Sequence, residues 1–134
     1  MLLVKEFTFD AAHNLVKYHG KCERLHGHTY RMAVTVSGRP GEEGMVMDFA
    51  ELGDMVKREV VSKFDHSYLN DIIPQPTAEN IARYVFKSLD GHFCGLDCEL
   101  RSVQVWETKN SSAIFGREDL RAEATADGIG GEGA

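Results

Sequence analysis

The triplet His26-Gly27-His28 constrains this chain more than any other stretch of it. On an extended backbone, residues two apart project from the same face. At a rise of about 3.3 Å per residue the two rings stand roughly 7 Å apart, close enough to converge on one ion. His13 closes an earlier run, Phe7-Thr8-Phe9-Asp10-Ala11-Ala12-His13, in which Phe7, Phe9 and Ala11 share its parity. Two paired strands would bring that third imidazole to the other two. Three neutral imidazoles leave one tetrahedral zinc position for water or substrate, which marks a catalytic centre rather than a structural one. Cys22, four residues before His26, is then a candidate for chemistry beside the metal.

The rest of the chain supplies a frame for such a pair. Residues 2–13 read as one strand and 28–37 as a second, with Tyr30, Met32, Val34 and Val36 alternating against Arg31, Ala33, Thr35 and Ser37. The segment 37–44 has the composition of a surface turn. Asp48 with Glu51 has the form of a capping box, and Phe49, Leu52, Val56, Val60 and Phe64 follow at helical spacing. After Pro74 and Pro76, Thr77 is a natural N-cap for a second helix to about Leu89, with Ile81, Val85 and Leu89 as its apolar stripe. Residues 99–107 form a late strand, and Ala113-Ile114-Phe115 a short last one. From Ala122 onward the chain has four glycines and no aromatic residue, the composition of a disordered tail. The expectation is one α+β domain over 1–121, an antiparallel sheet with two helices on one face, followed by a tail over 122–134. So small a sheet leaves edges to cover, which predicts a homo-oligomer.

Bulk properties exclude some functions. A net charge of -6 argues against a nucleic-acid surface, which needs a basic stripe. No stretch is apolar and long enough to span a membrane, and MLLVKEFTFD lacks the apolar run of an export signal. Three cysteines, Cys22, Cys94 and Cys98, fit reduced thiols in a cytoplasm better than a disulfide framework.

Each candidate has a bland reading beside the sharp one. Histidines flanking a glycine can simply mark a turn, but His13 at matching parity favours the metal. His19 and His92 lack such context and read as surface residues. A free cysteine is most often a small buried hydrophobe, yet Cys22 lies among Lys21, Glu23 and Arg24, where cations lower a thiol's pKa. Cys94 and Cys98 have no further ligands nearby in sequence and read as structural. Asp65-His66 past a helix end is a cap on one reading and, on the other, an imidazole oriented by a carboxylate for acid–base work. Glu107 closes the last long strand, where a carboxylate is suited to paired N–H bonds from an aminopyrimidine ring.

The stretches F-D-A-A-H (9–13), C-x-x-x-H-G-H (22–28), M-D-F-A-E-L (47–52), F-D-H-S-Y-L-N (64–70), P-T-A-E-N (76–80) and V-W-E-T (105–108) together resemble the 6-pyruvoyltetrahydropterin / 6-carboxytetrahydropterin synthase family. The resemblance runs from about Phe7 to Phe115. It implies the tunnelling fold, in which sheets of several protomers join into a barrel, commonly a trimer or dimer of trimers, with active sites at subunit interfaces. It implies Zn2+ on His13, His26 and His28, Cys22 as catalytic base, and Asp65 with His66 as the second proton-transfer unit. Glu107 would anchor the pterin, with Thr77 and Thr108 as further candidates for that pocket. The implied substrate is 7,8-dihydroneopterin triphosphate. The three-residue gap between Cys22 and His26 resembles the queuosine-pathway branch, whose members make 6-carboxy-5,6,7,8-tetrahydropterin, acetaldehyde and triphosphate. Glu23 resembles the residue by which some relatives make 6-hydroxymethyldihydropterin for folate synthesis. 6-Pyruvoyltetrahydropterin synthase is a third activity in the family. From other classes, a non-catalytic pterin- or metal-binding protein and a purely structural zinc domain also accommodate the histidines.

Overall fold

The computed structural model describes residues 1–16 and 24–132, with side chains to residue 126. Strands β1 (Leu2–His13) and β2 (His26–Gly38) pair antiparallel along their whole length, setting His13 directly opposite His26. Strand β4 (Cys98–Thr108) adds to the free edge of β2, and β5 (Ser111–Gly116) adds to β4. The outermost strand on the other side is β3 (Ser67–Tyr68), giving the order β3-β1-β2-β4-β5. Because β3 runs parallel to β1, the sheet is mixed and not purely antiparallel as expected. Parallel neighbours need a crossover, and the helical segment between β2 and β3 provides it.

That segment begins as α1 (Phe49–Val56), passes through a π-helical turn over Lys57–Val61, and closes with α2 (Ser62–Phe64). Asp48 caps it, its carboxylate accepting the Ala50 N–H at 2.7 Å. The apolar residues Leu52, Val56, Val60 and Phe64 recur every four positions, which on a regular α-helix rotates each about 40° past the last. A wider i→i+5 turn absorbs that drift, and all four side chains are buried. Phe49, assigned to the same stripe, is instead exposed, with Lys5 over its ring.

Helix α3 (Ala78–Asp90) opens on Thr77, whose hydroxyl oxygen accepts the Asn80 N–H at 3.1 Å. Its stripe of Ile81, Val85 and Leu89 packs on β4 and β5. Under the helices lie Phe7, Phe9, Tyr30, Met32, Val34, Leu100, Val103 and Val105, with Phe9 stacked on Tyr30 at 5.1 Å between ring centroids. Among the described residues nothing covers the opposite face of the sheet, which carries Leu2, Val4 and Ile114 in the open.

The segment expected to be a disordered tail starts inside a helix, α4 (Arg117–Glu132). Tertiary partners hold its first turns. The Asp119 carboxylate accepts the Gly116 N–H, and Glu123 meets Arg83 at 2.7 Å and Lys87 at 3.1 Å on α3. No helix among the described residues is long and apolar enough to cross a membrane.

Candidate metal and proton-transfer site

The β1–β2 register and strand parity deliver the three histidines to one point on the helix-covered side of the sheet. His13 is buried, and the Nε2 atoms of His13 and His26 are 3.0 Å apart. Each of these rings turns its Nδ1 toward a carbonyl, Pro76 for His13 at 2.8 Å and Arg24 for His26 at 2.9 Å. A carbonyl only accepts, so both Nδ1 atoms carry the proton, and in neutral rings both Nε2 atoms are bare lone pairs. Two lone pairs facing each other at 3.0 Å repel unless a cation lies between them. This is also the arrangement that orients metal-binding imidazoles, with the far nitrogen donating to a backbone carbonyl.

The fourth donor is Glu107. Its Oε1 lies 3.3 Å from His13 Nε2 and 3.1 Å from His28 Nε2. One donor atom from each of His13, His26, His28 and Glu107 falls within 4.8 Å of all the others. Zinc bonds of about 2.0–2.1 Å to a tetrahedron of ligands place neighbouring donors about 3.3 Å apart, so the set fits zinc. A break in register puts Glu107 there: Trp106 pairs with Ser112 and Thr108 with Ser111, leaving Glu107 as the extra residue of a bulge. Bulges redirect a side chain in this way beside active sites. Beneath the cluster lies Tyr30, fully buried, whose hydroxyl has no hydrogen-bond partner among the described residues. Burial first, and then the charge of Glu107, push its phenol upward, so Tyr30 stays protonated.

A second group of side chains forms at the β1–β3 edge. Asp65 and His66 follow α2, with Asp65 Oδ2 at 3.0 Å from His66 Nδ1. Asp65 Oδ1 accepts the Asp10 N–H at 2.9 Å, and the His66 N–H donates to the Asp10 carbonyl at 2.6 Å. The Asp10 N–H, and after it the His66 side chain, hold the Asp65 carboxyl below its ordinary range. Asp10 Oδ1 in turn accepts the Thr29 hydroxyl at 2.5 Å. Asp10, Asp65 and His66 also offer three donor atoms within 4.8 Å. Asp65 and His66 satisfy each other and the Asp10 carboxylate is taken by Thr29, which suits a hydrogen-bonded unit better than a cation site. A cavity of about 500 Å³ is bordered by Asp10, Thr29, His66 and one of the three histidines, His28.

The other residues singled out from sequence fall as follows. Thr77 is spent in part on capping α3, and Thr108 is exposed at the end of β4. Cys22 and Glu23 lie outside the described residues, as does His19. His92 is half-exposed and meets Glu59 at 3.5 Å. Cys94 and Cys98 are free thiols, and burial pushes that of Cys98 up. Sequence reasoning overlooked Asp10 and Tyr30. Tyr30 carried a signal, since it shares the parity of His26 and His28; Asp10 stood only within the F-D-A-A-H stretch, because its partners Thr29, Asp65 and His66 are distant in sequence.

A family profile described as 6-pyruvoyl tetrahydropterin synthase matches residues 2–118. The 6-carboxy-5,6,7,8-tetrahydropterin synthase of Synechocystis sp. is 42% identical over 121 residues, covering 85% of this chain and 92% of the relative. The dihydroneopterin monophosphate aldolase of Pyrococcus furiosus is 39% identical over 105 residues, covering 78% and 88%. Among solved structures, the Caenorhabditis elegans 6-pyruvoyl tetrahydropterin synthase superposes with a TM-score of 0.75 at 27% identity, covering 87% of this chain and 94% of the other.

Proposed function

The chain belongs to the 6-pyruvoyl tetrahydropterin synthase family, and from that premise we propose that it is a zinc-dependent lyase. It converts 7,8-dihydroneopterin triphosphate to 6-carboxy-5,6,7,8-tetrahydropterin, acetaldehyde and triphosphate, in the cytoplasm, on the route to queuosine. The name and 42% identity of the Synechocystis relative support this choice of product. The observation that carries the reading is the convergence of donor atoms from His13, His26, His28 and Glu107 within 4.8 Å of one another, with the Asp65–His66 pair held against the same strand, β1.

His13, His26 and His28 hold the metal, with Glu107 within reach of the same ion. Bound zinc supplies Lewis-acid stabilisation of charge developing on the substrate's side-chain oxygens. His66 moves a proton at its Nε2 edge, while Asp65 fixes Nδ1 and balances the imidazolium charge. Cys22 serves as the opposing base. Glu107 anchors the pterin when it is not on the metal, with Thr77 and Thr108 bordering the ring. The assembly is a trimer or dimer of trimers, built through the uncovered sheet face and its edges, where Leu2, Val4 and Ile114 lie exposed.

The deciding experiment is incubation of zinc-loaded protein with dihydroneopterin triphosphate and identification of products by mass spectrometry. 6-Carboxytetrahydropterin with acetaldehyde is the expected result. Recovery of 6-hydroxymethyldihydropterin would transfer the chain to the folate branch. The 39% identity to an aldolase acting on dihydroneopterin monophosphate, together with Glu23 beside Cys22, favours that second reading. In that case Glu23→Ala loses more activity than Cys22→Ala.

A further inference from the structure

His66 is the one non-glycine among the described residues with a positive φ, at 59°. The left-handed region costs a residue with a Cβ roughly 1–2 kcal/mol, so something must hold it there. The core does not: the His66 side chain is 80% exposed. Among the described residues Asp10 supplies the hold through both its backbone groups, the carbonyl to the His66 N–H at 2.6 Å and the N–H to Asp65 Oδ1 at 2.9 Å. Directly after this clasp, Ala11 and Ala12 pair with Ser67 and Tyr68, so β3 begins only once His66 has turned. Asp10 is itself fixed from the next strand. It stands opposite Thr29 in the β1–β2 register, and its carboxylate takes the Thr29 hydroxyl at 2.5 Å. Backbone strain kept at an exposed histidine and countered from two neighbouring strands points to a geometric requirement of function, not of folding.

We propose that Asp10, locked by Thr29, is a positioning residue that fixes the His66 ring for proton transfer. This rests on the reading of His66 as a proton-transfer residue of the lyase. The exposed ring would otherwise sample several rotamers. Asp65 takes its Nδ1, and the Asp10 carboxylate, with its donor atom within 4.8 Å of those of Asp65 and His66, adds a second negative charge on the ring's flank. The imidazole is thereby kept in the Nδ1–H tautomer with Nε2 free for substrate, in the cavity it borders with Gly27, His28 and Thr29. The Thr29 hydroxyl keeps the Asp10 carboxylate from rotating away. Charge comes from Asp10 and aim from Thr29.

Three variants separate these roles: Asp10→Asn removes the charge, Thr29→Val removes the lock, and Thr29→Ser keeps the hydroxyl. Histidine-15N-labelled, zinc-loaded protein without substrate gives the first readout. The unmodified chain is expected to show one His66 Nδ1–H tautomer, and Thr29→Val and Asp10→Asn an averaged ring. In turnover, both should lower kcat about tenfold with KM within about twofold, a loss typical of a misplaced acid–base group. Zinc content should stay at the unmodified value, and Thr29→Ser should restore both kcat and ring signal. An unchanged tautomer in both variants overturns the proposal, as does a loss confined to KM or a Thr29→Ser variant as slow as Thr29→Val. If the unmodified chain turns over no dihydroneopterin triphosphate, the lyase reading fails, and the ring signals still decide what Asp10 does.

Discussion

Glu107 shows how much a single residue's role depends on its immediate surroundings. In sequence it is the last acidic residue of a strand, suited to a ring of paired N–H donors. In the fold, the bulge at Trp106/Thr108 turns its carboxylate onto His13 and His28. Glu107→Gln keeps the shape and an acceptor oxygen but removes the charge. Its zinc affinity should fall by at least about tenfold, the lower end of what losing even a supporting group costs a metal site. Competition against a chromophoric chelator measures this, and an unchanged affinity would remove Glu107 from the ligand set. Asp65 gives a prediction of a different kind. Its folded pKa is lowered, so the stabilisation from its partners is present above its unfolded value of about 3.9 and is lost as pH falls through the lowered one. The Asp10 and His66 amides should therefore exchange faster with solvent below about pH 4 relative to a core amide such as Val34, once the intrinsic pH dependence of exchange is divided out. In Asp65→Asn that acid-dependent loss should vanish.

At the level of elements, alternation and capping were enough to place most of the structure. The bounds of β1, the N-caps Asp48 and Thr77, and the buried stripe of α3 follow from side-chain period and hydrogen-bonding chemistry alone. The convergence of His13, His26 and His28 was legible for the same reason, since parity is a local property. Features that depend on distant partners were not legible. β3 is two residues long and exists because β1 lends it an edge. The π-helical turn was hidden in the four-residue spacing of Leu52, Val56, Val60 and Phe64, which reads as ordinary helix unless the angular drift is counted. α4 was missed because its anchors lie elsewhere. Arg117 bonds both Asp90 carboxylate oxygens, at 2.6 and 3.2 Å, and the Leu100 carbonyl at 2.8 Å, joining three elements. Arg117→Met strands those acceptors in a largely buried place and should cost about 2 kcal/mol. Urea unfolding monitored by circular dichroism reads that loss, and Arg117→Lys should recover only part of it, because lysine lacks the planar fork.

For the whole molecule, the core and the metal centre are separable. The buried cluster runs from Phe7 to Phe115 and draws on every strand but β3, with the histidines at one end of it. Removing zinc with a chelator should therefore lower the melting temperature without unfolding the chain. At a free metal concentration a hundredfold above Kd, the difference is about 2.7 kcal/mol. Far-UV circular dichroism at 25 °C should be the same with and without metal; collapse of the spectrum on chelation would mean the ion is part of the scaffold.

The bond from His13 to the Pro76 carbonyl crosses from the innermost strands to the turn that launches α3. Thermodynamic reciprocity makes that crossing two-way: whatever steadies the turn tightens the grip on the ion, and an ion taken up steadies the turn. A ligand touching only the start of that helix would then be felt at the metal without ever meeting it.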